Sequence, residues 1–177
     1  MQVLQSSRQR GFTLIEILVV LIIVGLLAAL AVFNMGGSSQ QRELESQVRE
    51  LYLLMQTVQE QAVLNNLEMG LLLEEDGYRF VAFQDIDGEW KASGERMFRK
   101  HTLPEWLTVT PYVESDAPRL ASAEDRLRPD VVFFSSGETT PFEIEFTLGK
   151  DTDLMHVIAS DGISPMEWRR PGSGDDA

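Results

Sequence analysis

The side chains that could move a proton near neutral pH in this 177-residue chain are two histidines and 28 carboxylates; cysteine is absent, so neither thiolate chemistry nor a disulfide is available. His101 and His156 stand far apart in sequence, and neither belongs to a metal or nucleophile motif. His156 falls inside an apolar run, where a structural histidine is the default. No serine occupies a G-x-S-x-G elbow, and no glycine-rich loop is built to cradle phosphate. Asp85-Ile86-Asp87-Gly88 fails as an EF-hand, because placing Gly88 at the loop glycine puts Phe83 at the first ligand position and Gly94 at the last. Asp151 and Asp153 read as solvated acids in a polar turn. The sequence predicts no catalysis, no cofactor and no required metal. One carboxylate stands apart: Glu16 lies at the mouth of Ile17 to Phe33, a run without a polar side chain. An ionisable group placed in hydrocarbon costs roughly 2.5–3.5 kcal/mol on insertion scales, so Glu16 needs a partner or a purpose.

The element that positions Glu16 is the apolar run itself. As a helix, Ile17 to Phe33 extends about 25 Å, and adding Phe12 to Ile15 completes a span of a bilayer core ~30 Å thick. Arg8 and Arg10 precede the run and no basic residue follows before Arg42, which predicts a cytoplasmic N-terminus. Residues 38–177 then lie across the membrane, in the periplasm of a bacterium. A secretory signal peptide cut at Ala29-Leu30-Ala31 and a plain single-pass anchor are the competing readings; both leave Glu16 unexplained. A buried core helix fits less well, because the run is apolar on every face.

Gly11-Phe12-Thr13-Leu14-Ile15-Glu16, after a short basic leader and before the apolar run, resembles the class III signal of type IV pilins and of the pseudopilins of type II secretion. The resemblance implies cleavage by a prepilin peptidase between Gly11 and Phe12, N-methylation of Phe12, and a role for Glu16 in filament assembly. Cleavage turns the amide nitrogen of Phe12 into an amine that is mostly cationic at neutral pH. Glu16 of a neighbouring helix can pair with that ammonium, gaining about 4 kcal/mol at ~4 Å and an effective dielectric of ~20, comparable with the cost of burying the acid. The predicted organisation is a leader over 1–11, a membrane and filament stem over 12–35, an amphipathic helix over 38–66, a β-rich periplasmic domain over 67–170 and a disordered tail over 171–177.

Formal charge is −13, and loss of the two leader arginines takes the side-chain sum to −15, a sign that repels phosphate backbones. Gly36-Gly37-Ser38-Ser39 reads as a flexible joint followed by a helix cap. Leu44, Val48, Leu51, Met55, Val58 and Ala62 then recur at helical spacing, ending near Asn65-Asn66. Beyond Met69 the pattern turns to strands: Met69 to Leu73 and Tyr78 to Phe83 around the turn Glu75-Asp76-Gly77, then Glu89 to Lys91, Leu107 to Tyr112, Val131 to Phe134, Phe142 to Leu148, Leu154 to Ala159 and Ile163 to Trp168. Phe142-Glu143-Ile144-Glu145-Phe146 alternates with a period of two, one face core and one face wet. The predicted fold class is α+β: a long N-terminal helix packed on an antiparallel β-sheet or small β-sandwich.

The stretch from Val131 to Phe142, strand, Gly137 turn, Pro141 and strand, is similar to the H-type minor pseudopilins of type II secretion. Ser135 or Ser136 replaces a proline often found before that glycine, and hairpin chemistry alone also accounts for Gly137. The resemblance implies partners: other minor pseudopilins, the major pseudopilin, the prepilin peptidase, an inner-membrane secretion platform and secreted exoproteins. It also implies a place near the tip of a periplasmic pseudopilus required for export of folded exoproteins across the outer membrane. The segment from Glu114 to Pro129 lacks a strand signal and reads as a loop that contacts partners or cargo. The alternative is a type IV pilus minor pilin that binds DNA for uptake, for which Arg169-Arg170 beside Trp168 is the best basic cluster. The acidic balance opposes that alternative, and no nucleic acid is predicted as a partner.

Overall fold

In the computed structural model the described residues are 13–113, 120, 127–149 and 151–172, the side chains of 28–38 and 151 excepted. Helix α1 (Leu14–Asn65) is followed by β1 (Met69–Glu74), β2 (Gly77–Gln84), β3 (Glu89–Ala92), a 3-10 turn (Arg96–Phe98), β4 (His101–Thr102), β5 (Leu107–Val113), β6 (Val131–Phe133), β7 (Phe142–Leu148), β8 (Asp151–Ser160) and β9 (Glu167–Arg169). The expected joint at Gly36 to Ser39 is not a break in secondary structure, because α1 runs through it as one helix of 52 residues. Two glycines cost roughly 2 kcal/mol against alanine, a penalty that cooperative propagation between good helix formers on both sides outweighs. The chain nevertheless divides into two compact units between Ser39 and Gln40.

In the second unit, Leu44, Val48, Leu51, Met55, Val58 and Ala62 are at most 1% exposed, the apolar stripe their spacing implies. Asn66 ends α1 in the left-handed conformation at φ 48°, and Leu67 N–H donates to the Ala62 carbonyl at 3.0 Å, satisfying an orphan helix acceptor. Two antiparallel sheets meet the stripe. One runs β3-β2-β1-β6 with β4 also pairing to β2, and the other runs β5-β7-β8-β9. Leu71, Phe80 and Phe133 from the first sheet and Ile144, Phe146 and Ile158 from the second share one core with the helix. In β7 Phe142, Ile144 and Phe146 point inward while Glu143 and Glu145 stay half-buried. A second small cluster, Val81, Trp90 and Val132, joins β2, β3 and β6, and Leu127 packs against it.

Several boundaries differ from the sequence expectation. The strand over Ile163 to Trp168 shrinks to β9, because Asp161 turns the chain: its Oδ1 accepts from the Ile163 and Ser164 amides at 2.9 and 2.7 Å. Strand β8 begins earlier than Leu154, at Asp151, paired to Leu148 across a register shift in β7. Pro171 and Gly172 form a turn, whereas 173–177 of the expected tail lie outside the described residues. In β5, Leu107 donates its amide to Pro104 rather than to β7, and Pro111, opposite Ile144, contributes no amide hydrogen.

The β1–β2 hairpin turns through Glu75 and Asp76 and is tied by charge. Arg79 lies 2.6 Å from Glu74, while Lys100 lies 3.0 Å from Glu74 and 2.6 Å from Asp76. Arg79 holds Glu74 below the ordinary carboxylate range against the opposing effect of burial, with Lys100 adding to it; Lys100 is the main cause of the same shift in Asp76. Carboxylates depressed in the folded state stabilise it at pH values above their unfolded pKa of about 4, and the benefit is lost as pH falls through the folded values. Lys100→Met is therefore expected to flatten the fall of the urea midpoint between pH about 5 and 3.

Candidate functional site

At the start of the stem, Thr13 caps α1. Its Oγ1 accepts from the Glu16 amide at 3.3 Å, and its carbonyl accepts from the Glu16 and Ile17 amides at 3.1 and 3.3 Å. Thr13-x-x-Glu16 thus has the spacing of a capping box, with an acid in the first helical turn where the macrodipole favours negative charge. That spacing was available in the sequence as Thr followed three residues later by Glu. Leu14, Ile15 and the large apolar residues from Ile17 to Leu27 are 48–85% exposed, so no described part of the chain covers them. Gly11 and Phe12 lie outside the described residues. Among the described residues no helix is long and apolar enough to cross a membrane. The described stem side chains stop at Leu27, short of the ~18–20 apolar residues a span requires, so the expected span includes positions beyond them.

The hairpin from Val131 to Phe142 docks on the far half of α1. Gly137 takes φ 94°, a conformation that favours glycine, and its carbonyl accepts from Gln59 Nε2 at 2.9 Å. The Gly137 amide donates to Phe134 and the Phe134 amide to Glu138, both at 2.9 Å, closing the turn. Glu68 anchors the approach: its carboxylate accepts from Ser135 N–H and from Ser135 Oγ, each at 2.9 Å. This is what serine supplies at a place where a proline would have no amide to give. Glu68→Ala leaves the Ser135 amide without its partner and is expected to lower unfolding free energy by about 1–3 kcal/mol, read from urea denaturation. An open groove of about 610 Å³ lies between this turn and α1, lined by Gln56, Gln59, Glu60, Val63, Leu64 and Gly137.

The remaining candidates are occupied in the structure. His101 stacks on Tyr78 with ring centroids 4.9 Å apart and planes at 2°, its Nε2 donates to the Met97 carbonyl at 2.9 Å, and its Nδ1 lies 3.3 Å from Glu50. Burial, with Glu50 adding to it, pushes the Tyr78 phenol above its ordinary value. His156 is 6% exposed and accepts a hydrogen bond from Trp168 Nε1 at 3.2 Å. Arg170 packs over the Trp168 ring at 4.3 Å and Arg169 pairs with Glu143, so both arginines of the basic cluster have contacts within the domain. Asp87 pairs with Lys91, and Gly88 at φ 67° donates its amide to Gln84 at 2.8 Å, the features of a hairpin turn. Of the segment from Glu114 to Pro129, only Leu120 and 127–129 are among the described residues.

Comparison with known proteins agrees with this architecture. Residues 6–32 match the prokaryotic N-terminal methylation motif, and residues 47–162 match the family described as type II transport protein GspH. Type II secretion system protein H of Pseudomonas aeruginosa is 32% identical over 161 residues, covering 87% of this chain and 92% of that protein. The protein of the same name from Aeromonas hydrophila is 31% identical over 163 residues, with coverages of 87% and 88%. Type II secretion system core protein G of Klebsiella pneumoniae is 47% identical over 48 residues, 27% of this chain and 34% of that protein. The structure of the minor pseudopilin EpsH from Vibrio cholerae superposes with a TM-score of 0.60 at 20% identity, covering 74% of this chain and 99% of that one, a likeness of fold.

Proposed function

From the membership of this chain in the type II transport protein GspH family, as a minor pseudopilin of type II secretion, we propose how it is processed, anchored and assembled. A prepilin peptidase cuts between Gly11 and Phe12, and Phe12 becomes the methylated N-terminus. The stem holds the chain in the inner membrane with the domain periplasmic, and the subunit then enters the pseudopilus near its tip. There it meets other minor pseudopilins and the major pseudopilin, and it supports export of folded exoproteins. It carries out no catalysis; the secretion platform drives it.

The observation that carries this reading is the capped stem: a helix with an acid in its first turn, followed by apolar side chains 48–85% exposed. Such a helix needs lipid or other helices around it, and its acid needs a cation. A free ammonium on Phe12 of an adjacent stem supplies that cation. Intact-mass analysis of the chain from membranes tests the processing step. The expected product starts at Phe12 with one added methyl group; a product starting after Ala31, or one keeping residues 1–11, overturns it. Pull-down against the other minor pseudopilins tests the assembly step. The DNA-uptake alternative is not supported by these relatives, and the acidic balance of the chain opposes it, with Arg169 paired to Glu143 and Arg170 packed over Trp168.

A further inference from the structure

Strand β9 is three residues long and, among the described residues, lies at the edge of its sheet, pairing with Val157, Ile158 and Ala159 of β8. What fastens it to the helix is a set of side chains around Trp168. The indole lies 5.9 Å from the Tyr52 ring and 5.8 Å from the Arg49 guanidinium, while Tyr52 OH donates to the Met166 carbonyl at 3.1 Å. On its other side the indole N–H donates to His156 Nδ1, with the two rings 5.8 Å apart and tilted. An imidazole accepts through Nδ1 only when neutral, with its proton on Nε2. We propose that His156 is the release catch of a pH-sensitive clasp holding β9 against α1, protonation freeing Trp168 and uncovering the Arg49 and Tyr52 face of the helix.

Protonation puts a hydrogen on Nδ1, so two donors face each other where one bond existed. The charged groups around the ring do not welcome a cation. Helix α1 contributes Glu45 and Arg49, joined to each other at 2.9 Å; Arg170 follows directly after β9; and β7 places apolar Phe146 opposite His156 in register. Burial, the largest influence, pushes the imidazole below its usual value; Glu45 opposes this and Arg170 reinforces it. A histidine depressed in the closed state gives a clasp at full strength above about pH 6.5 that weakens as pH falls towards the closed-state value, opening rising roughly tenfold per pH unit across that window. The edge strand yields first because it has three paired residues and a neighbouring Pro171-Gly172 turn, whereas β7 and β8 are paired along their length.

The test is amide hydrogen exchange, corrected for intrinsic pH dependence, on the full chain in detergent micelles at pH 7.5 and 5.5. Protection of 166–170 is expected to fall by up to about tenfold in the parent while 142–148 keeps its protection, and His156→Gln is expected to abolish the fall. A flat response in the parent, or the same fall in H156Q, overturns the proposal. A second measurement needs no variant: in chain labelled with ¹⁵N-histidine, His156 is expected to be neutral and unprotonated at Nδ1 at pH 7.5. Its ring titration and the loss of protection then share one midpoint; separate midpoints overturn the clasp.

Discussion

Glu16→Ala is expected to give a chain that is cleaved and methylated normally yet stays in the membrane outside the pseudopilus. On the proposal above, cleavage is read from the residues flanking the Gly11–Phe12 bond, and Glu16 comes into play after it, once the ammonium exists. Losing a pairing of about 4 kcal/mol corresponds to roughly a thousandfold weaker incorporation. Because Glu16 also sits in the first turn capped by Thr13, the alanine variant alone mixes two effects. Glu16→Gln separates them, since glutamine keeps capping-box geometry and removes the charge. Both variants are expected to be absent from the cross-linked pseudopilus fraction while remaining full-strength in the membrane fraction. Parent-like incorporation of the glutamine variant would show that charge is not what seats the subunit.

Gly77→Ala is the change with the largest expected effect on the folded domain. A Cβ at Gly77 would stand 1.9 Å from the His101 carbonyl oxygen and 3.1 Å from Thr102 Cα, so backbone must move. Moving it breaks the Gly77–Thr102 pairing, the Leu103 amide bond to Asp76 at 2.9 Å and the stacking of His101 on Tyr78. It also detaches His101 from Glu50 of α1. The expected loss is about 2–4 kcal/mol in unfolding free energy. Gly94→Ala is the control: a Cβ there meets nothing within 4 Å, and a change within about 0.5 kcal/mol is expected. Urea unfolding of the detergent-solubilised chain, followed by tryptophan fluorescence, measures both.

The helix stripe was legible because each of its six apolar positions faces one core at a fixed period. Strands β1, β2, β3, β5, β6, β7 and most of β8 were legible because turn residues bound them. Strand β4 and the 3-10 turn before it were not, since His101-Thr102 has no alternation and forms a strand only through pairing with Gly77 and Tyr78. The division of the strands into two sheets was also hidden, because sequence shows which face is apolar but not which strands pair. At the candidate site, Glu16 declared itself by standing alone in an apolar run. The bond between His156 and Trp168 did not, because it joins different strands that only the fold brings together.

Pro111 bears on how a polymerising protein avoids polymerising in the wrong way. It sits opposite Ile144 in β5, an outer strand of the second sheet among the described residues, where an unbroken row of amide donors would invite a stranger's strand to zip on. One missing hydrogen at the fifth of seven residues spoils that template. Crowded side by side, copies of this domain are kept from adding strand to strand along that border.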